Sequence, residues 1–544
     1  MRLFLIAALM IAAPLTAAPA QPSPPQPADS GHKPESVFGA AGEPNYAPPS
    51  GAQSSLGGSG ATGADSVGTL PERDTGFNRK TWRGSPFALV LRLVDALPDR
   101  IDSAAEHELA KNLLLSIADA PEGDDGEGRL LRARVRKLLA IGNIADAAAL
   151  ARAAPGLPDD AALARLEIEA ELLAGQVEAA CIDLRAFAPI LTDPASANAL
   201  LLCRQRAGEA DTGDLPPLDV DSLGAAARIA GAPLPAAADS PPSRLAAAAH
   251  DPKLPPEERL AAAFGAGRAS AIYGETLALL FRATPVTTEA AAGEAAPADG
   301  AAAAALFQAI EREGDTHRQL ALVERGLLSP DGVADKISVA MAEPLRNLQP
   351  VPELGVIAAR LAIVFYTLGD IDAATPWAEL AEQSGTGAAV WPYRVLLKQA
   401  DPLGIADWEQ QAGLDAPNMA RVLMVLSAFD VTAPPGISHR IAGEDRPDPT
   451  MPDLLAIDRS ARDLRVGETT LRAIAMLGER GPARAHPLAL RRALADLDAV
   501  QMHNEARALA FEAITAALAT APRPAVDLSQ SQNPDLTQND AARP

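Results

Sequence analysis

Apolar residues return along much of this chain at the spacing of a helix face. Leu163, Leu166, Ala170 and Leu173 stand at i, i+3, i+7 and i+10, and Leu490, Leu494 and Leu497, then Ala506, Leu509 and Ala513, repeat the pattern near the far end. Side chains so spaced share one side of a 3.6-residue helix. No stretch of any length alternates apolar and polar residues as a strand does, so the chain is predicted to be all-α. Helix starts are marked too. Ser85 and Pro86 ahead of an apolar run predict an N-cap followed by proline in the first turn, and Ser103 with Glu106 has the spacing of a capping box.

Turn signals recur at a fixed interval. Gly142, Gly175 and Gly208 follow one another at 33 residues, the first two flanked alike by Leu139-Ala140-Ile141 and Leu172-Leu173-Ala174 on one side and by small residues at Ala147 and Ala180 on the other. A period of this size is the mark of stacked helical hairpins. The segment Tyr366-Thr367-Leu368-Gly369-Asp370-Ile371-Asp372-Ala373-Ala374 resembles the turn of the tetratricopeptide family: glycine between helices, an acidic cap, an apolar residue, then alanine where helices cross closely. At Gly142 and Gly175 aliphatics fill that family's aromatic positions, and after Gly208 the expected small alanine is replaced by Gly213. The resemblance covers about a fifth of the chain. It implies an α-solenoid of stacked helical hairpins with a concave surface for a protein or peptide, and no particular ligand.

Between these helices the composition shifts mark boundaries. Residues 1–20 read as a secretory signal peptide, with Arg2, an apolar run from Leu3 to Leu15 and small residues up to Ala20; the run is short of the ~20 residues that span a bilayer. Pro-, Gly- and Ser-rich residues 21–79 are read as a disordered tether, 80–286 as an N-terminal helical repeat region, 287–305 as an Ala/Gly-rich linker entering a helix towards Phe307, 306–432 as a tetratricopeptide-like region, 433–452 as a loop, 453–520 as a C-terminal helical region and 521–544 as a disordered polar tail.

Composition narrows the function. Aromatic residues make up only 3% of the chain, which calls for cores of Ala and Leu in closely packed helices, and the net charge of -23 repels nucleic acid and anionic membrane surfaces. Nucleic acid and stable membrane insertion are therefore excluded from the expected partners, and the expected location is periplasmic or secreted.

Candidate chemistry is sparse. Cys181 and Cys203 lie symmetrically about Thr192 in the Leu191-Thr192-Asp193-Pro194 turn, so an antiparallel hairpin would bring them opposite each other; a disulfide and a pair of small core residues are both open. Their spacing is not that of a redox Cys-x-x-Cys, and no histidine is nearby. His107-Glu108 begins like a zinc-protease helix, but Lys111 stands where the second histidine ligand belongs, so His107 is expected to be a partly exposed helical residue. The glycines Gly58, Gly60 and Gly63 fall in the predicted tether, and Gly265 and Gly267 in a helix, so neither set reads as a dinucleotide loop. Arg129, Arg132, Arg134, Arg136 and Lys137 form either an anion grip or a solvated face neutralised by Glu122, Asp124, Asp125 and Glu127. Tyr366, Trp377, Trp391, Tyr393 and Trp408 gather in one part of the chain, either as core or as an aromatic-lined groove for a partner. Pro376 either kinks a helix or starts one.

The expected function is that of an exported helical-repeat scaffold or adaptor that binds a protein or peptide partner in the cell envelope, without a cofactor and without catalytic or metal-binding residues. Two alternatives remain: a self-associating structural component of the envelope, and a relative of the soluble lytic transglycosylases, whose Ala-rich superhelix accompanies a domain with a catalytic Glu-Ser pair. Here that pair occurs at Glu35-Ser36, in the predicted tether.

Overall fold

The computed structural model describes residues 63–154, 160–209, 226–272, 274–286, 299–315, 318, 319, 322, 344–432 and 449–519, all within one compact unit, residues 60–544. The expected signal peptide, most of the tether, the cores of the two internal linkers and the polar tail lie outside the described residues.

The described residues form 21 α-helices. The first part of the chain carries α1 (Glu72–Thr75), α2 (Phe87–Asp95), α3 (Ala104–Leu115), α4 (Arg129–Ala140), α5 (Ile144–Arg152), α6 (Ala161–Leu173), α7 (Val177–Ala186) and α8 (Pro194–Arg206). Then come α9 (Pro242–Ala249), α10 (Pro256–Arg268), α11 (Gly274–Ala283) and α12 (Gly300–Arg312). The region after residue 344 holds α13 (Gly355–Thr367), α14 (Ile371–Gln383), α15 (Trp391–Leu396), α16 (Ile405–Gln411) and α17 (Ala416–Ala428), and the last part α18 (Met451–Arg462), α19 (Val466–Leu477), α20 (Pro487–Ala499) and α21 (His503–Leu518). Among the described residues extended backbone pairs only as two isolated bridges, Leu70 with Ser116 and Pro86 with Glu122.

The helical pattern read from the sequence corresponds to these elements. Leu163, Ala170, Leu173, Leu490, Leu494, Leu497, Ala506, Leu509 and Ala513 are all buried, and Leu166 is half-buried against the same core. Gly265 and Gly267 sit within α10 as expected, and they let Leu245 of α9 and Leu277 of α11 approach its backbone.

Two starts differ from expectation. The folded body begins before residue 80, because Asp65 accepts from the Leu131 N–H of α4, Thr75 receives the Ser116 hydroxyl that follows α3, and Phe77 is buried; single anchors beside one four-residue helix leave no periodic trace in a sequence. Ser85 does not cap α2. Its buried hydroxyl donates to Glu468 of α19 at 3.1 Å, while the Phe87 N–H that begins the helix donates instead to the Glu122 carbonyl. Ser103 does cap α3, accepting from the Glu106 N–H.

Successive helices pair as hairpins, and the turns share one geometry. At Gly142 the N–H donates to the Leu139 carbonyl and the next N–H, of Asn143, to the Leu138 carbonyl, the bond pair of a Schellman motif with a left-handed residue at its centre. The same two bonds close the turns at Gly175, Gly208 and Gly369, where φ is 77, 73 and 73°. They also close the α18–α19 and α20–α21 turns, where Leu464 and Gln501 take the left-handed place. The turn geometry is therefore more regular than the glycine spacing that announced it.

At Gly142 the left-handed φ of 96° is combined with a close approach, since an added Cβ would overlap the Ala271 Cβ. Gly142→Ala is expected to cost about 2 kcal/mol, from left-handed strain and from the forced separation of the α4–α5 turn and the segment after α10. Chemical denaturation checks it, with Gly369→Ala as the comparison, because nothing lies within 4 Å of a Cβ there.

Sequential pairing is joined by contacts across the whole sequence of the unit. Glu512 of α21 receives the Ser103 hydroxyl and the Ala105 N–H, so a residue about four hundred positions away completes the N-terminal cap of α3. The Asp102 N–H donates to the Glu479 carbonyl, and the Gly467 N–H to the Thr81 carbonyl. The C-terminal helices thus pack on the first ones as well as on α13, α15 and α17.

Candidate functional site

The C-terminal helices border an open recess of about 440 Å³. Leu93 of α2, Pro449, Thr450 and Asp453 at the start of α18, Arg472, Ala475, Met476 and Leu477 of α19, and Arg484, Ala485, His486 and Ala489 leading into α20 line it. Its size falls in the range of ligand-binding clefts.

Each wall is held by an identifiable bond. Thr450 caps α18 by accepting from the Asp453 N–H. His486 caps α20, its Nδ1 accepting from the Leu488 N–H at 3.2 Å, so a neutral ring carries its proton on Nε2. Buried Arg421 of α17 donates to the Pro482 and Ala485 carbonyls, both at 3.1 Å, and so fixes the loop that carries Arg484. Arg472 is bound by Glu468 at 3.0 Å. The exposed Arg484 guanidinium has no hydrogen bond or ion pair among the described residues. The recess therefore combines apolar side chains, among them Leu93, Met476, Leu477 and Ala489, with the Asp453 carboxylate and one cation, Arg484, that has no partner among the described residues; its Arg484 side suits an apolar group that bears a carboxylate.

The cysteines lie elsewhere. Cys181 of α7 and Cys203 of α8 form a disulfide with Cα atoms 5.5 Å apart. Beside it Arg206 of α8 binds Glu178 of α7 at 2.6 Å, so a covalent and an ionic link join the same two helices.

The aromatic residues proposed as a binding groove are mostly core. Tyr366, Trp377, Tyr393 and Trp408 are buried, and Trp391 keeps partial exposure. Tyr366 and Tyr393 stack with ring centroids 5.0 Å apart and both pack against Phe511 of α21, while Trp391 stacks on Trp408 at 5.4 Å. The Tyr393 hydroxyl meets Thr515 Oγ1 at 2.7 Å, and burial pushes the Tyr366 hydroxyl up to about 12. A partner has no access to four of the five: Phe511 of α21 covers Tyr366 and Tyr393, Trp377 is buried in α14, and Trp408 donates to the Ala388 carbonyl beneath the Trp391 ring. Pro376 lies inside α14, which continues through it, with Thr375 donating to the Ile371 carbonyl.

The basic helix α4 divides: Arg129 and Arg136 lie on a solvated face, whereas Arg134 and Lys137 are buried. Arg134 is 1% exposed and donates to the carbonyls of Leu114, Val67 and Ser116 at 2.6, 2.5 and 2.9 Å. Burial lowers its pKa to about 10, so it stays charged at neutral pH. Lys137 is also buried and donates to the Leu97 carbonyl and to Asp99, both at 2.6 Å. Arg129 pairs with Asp125, as the sequence suggested for local neutralisation. His107, expected to be partly exposed, is fully buried, with Nε2 3.2 Å from the Ile141 carbonyl; the α4–α5 turn closes over it.

Sequence reasoning missed the recess altogether. Its residues come from α2, α18, α19 and α20, and no local spacing connects them. No protein-family model matches the chain, and no curated protein or solved structure matches it either.

Proposed function

We propose that this chain is an exported helical scaffold or adaptor, built from solenoid-like runs of hairpins, that binds a peptide segment of an envelope protein in the recess between α18, α19 and α20. The observation that carries the reading is the uncommitted Arg484 at the edge of a cleft whose other walls include Leu93, Met476, Leu477 and Ala489. Apolar anchors would supply affinity, and Arg484 would choose a segment with an acidic side chain or a terminal carboxylate. Export is supported by the Cys181–Cys203 disulfide, which suits an oxidising compartment, and among the described residues no helix is long and apolar enough to cross a membrane.

Affinity capture from the extracytoplasmic fraction tests the reading, with wild type compared against Arg484→Glu. One protein recovered in stoichiometric amount by wild type, and lost from a variant with an unchanged unfolding midpoint, is the expected result. Recovery of the bait alone would favour the self-associating structural component instead, and equal capture by both chains would remove the recess from the account.

A further inference from the structure

A second site lies between α6 and α7, away from the recess. Glu167 and Glu171 stand one turn apart on α6, and Asp183 faces them from α7; a carboxylate oxygen of each lies within 4.8 Å of the other two. Both glutamates are about 2% exposed, and their Oε2 atoms are buried without a hydrogen-bond partner. Nearby Arg152 of α5 reaches the Oε1 atoms at 3.3 and 3.8 Å, and its own side chain is half exposed.

Three carboxylates and one guanidinium leave two negative charges uncompensated at a buried place. Orphaned buried oxygens of this kind are costly, because desolvation penalises the charge and nothing donates to it. We propose that Glu167, Glu171 and Asp183 bind one calcium ion, which joins α6 to α7. The donors are all oxygen, which selects a hard cation over zinc or copper. Opposed oxygens around calcium at its usual ~2.3–2.6 Å are roughly 5 Å apart, so the observed spread closes on the ion without movement of the backbone. A doubly charged ion also balances the two remaining charges.

The placement gives the ion a structural role. Asp183 follows Cys181 by two residues, and side chains two apart on a helix diverge by roughly 200°. Calcium would hold α7 to α6 on one side while the disulfide holds it to α8 on the other. The other acidic cluster, Asp65 with Asp124 and Asp125, has one buried carboxylate rather than two: Asp65 leaves Oδ2 without a partner but accepts from the Leu131 N–H at 2.6 Å, and exposed Asp125 is bound by Arg129.

Burial and the charge of Asp183 push the Glu167 carboxyl up to about 7, and burial, Asp183 and Glu167 push the Glu171 carboxyl up to about 8. Shared protons are therefore the competing resolution of the same charge. Calorimetric titration of the purified chain with calcium chloride after chelator treatment separates the two. The expected result is one saturable site with Kd between roughly 10⁻⁵ and 10⁻³ M. Glu171→Gln is expected to weaken it at least about tenfold, a loss of ~1.4 kcal/mol or more, while Asp124→Asn leaves it unchanged. Glu167→Gln with Glu171→Gln removes the repulsion without changing side-chain size, so that double variant is expected to fold and to lose calcium-dependent stabilisation. The proposal is overturned by a wild-type chain that gives no saturable heat, by binding that survives in the folded double variant, or by an unfolding midpoint that falls as pH rises from about 5 to 8 to the same extent with and without calcium.

Discussion

Arg134→Met is expected to destabilise the fold by about 4 kcal/mol, one of the two largest effects of any single substitution discussed here. The guanidinium joins three carbonyls from two separate segments, Val67 on one side and Leu114 and Ser116 on the other. Methionine fills a similar volume and leaves all three acceptors buried with one donor set removed. The segment 63–70 is also held by Asp65, which accepts from the Leu131 N–H, and by the Thr69 and Leu70 N–H groups on the Leu115 carbonyl; without the Arg134 clamp it is expected to become sensitive to limited proteolysis before the rest of the unit unfolds. Arg136 provides the comparison. It lies two residues further on the same helix, is exposed, and meets Asp95 at 3.4 Å; Arg136→Met should change stability by less than about 0.5 kcal/mol. Equal effects from the two substitutions, measured by urea denaturation, would contradict the buried clamp.

Phe511→Ala should cost a similar amount, about 4 kcal/mol, as truncation of a fully enclosed aromatic ring does. Phe511 is 1% exposed and packs on Tyr366 and Tyr393 with centroids 5.6 and 5.3 Å apart. Because it belongs to α21 while the tyrosines belong to α13 and α15, its loss should loosen the contact between the end of the chain and the region after residue 344. Near-ultraviolet circular dichroism, dominated by the few aromatic residues, should lose intensity together with stability. Trp391→Ala, at a partly exposed ring stacked on Trp408, is expected to cost about 1 kcal/mol. If Trp391→Ala proved the more damaging, the aromatic cluster would be organised about its exposed edge rather than about α21.

What was legible in the sequence was local. The periodic leucines of α6 and α20, the Ser103 cap and the glycine turns at Gly142, Gly175 and Gly369 are all consequences of residues within about one helix length, and each is present in the structure. The cysteine pair belongs with them, because a hairpin about one turn is also a local relation. What failed was read as local but is decided at long range. Ser85 looked like a cap and instead serves Glu468; His107 looked half exposed and is closed in by the α4–α5 turn; Arg134 looked like one of five similar cations and differs from Arg136 only in what lies opposite. Burial of Tyr366 and Tyr393 depends on Phe511 of α21, more than a hundred residues away in sequence. The recess was illegible for the same reason, since its arginine, histidine and apolar walls meet only when α18 to α20 pack beside α2.

Whether this recess holds a peptide of an envelope partner is decided by photo-crosslinking in living cells from a reactive side chain placed at Met476, inside the recess, and separately at Leu403, which is 85% exposed and lies on another part of the chain. One defined adduct is expected from position 476, abolished by Arg484→Glu, and none of comparable yield from position 403. Adducts of equal yield from both positions, or an adduct from 476 that consists only of a second copy of this chain, would contradict the peptide site.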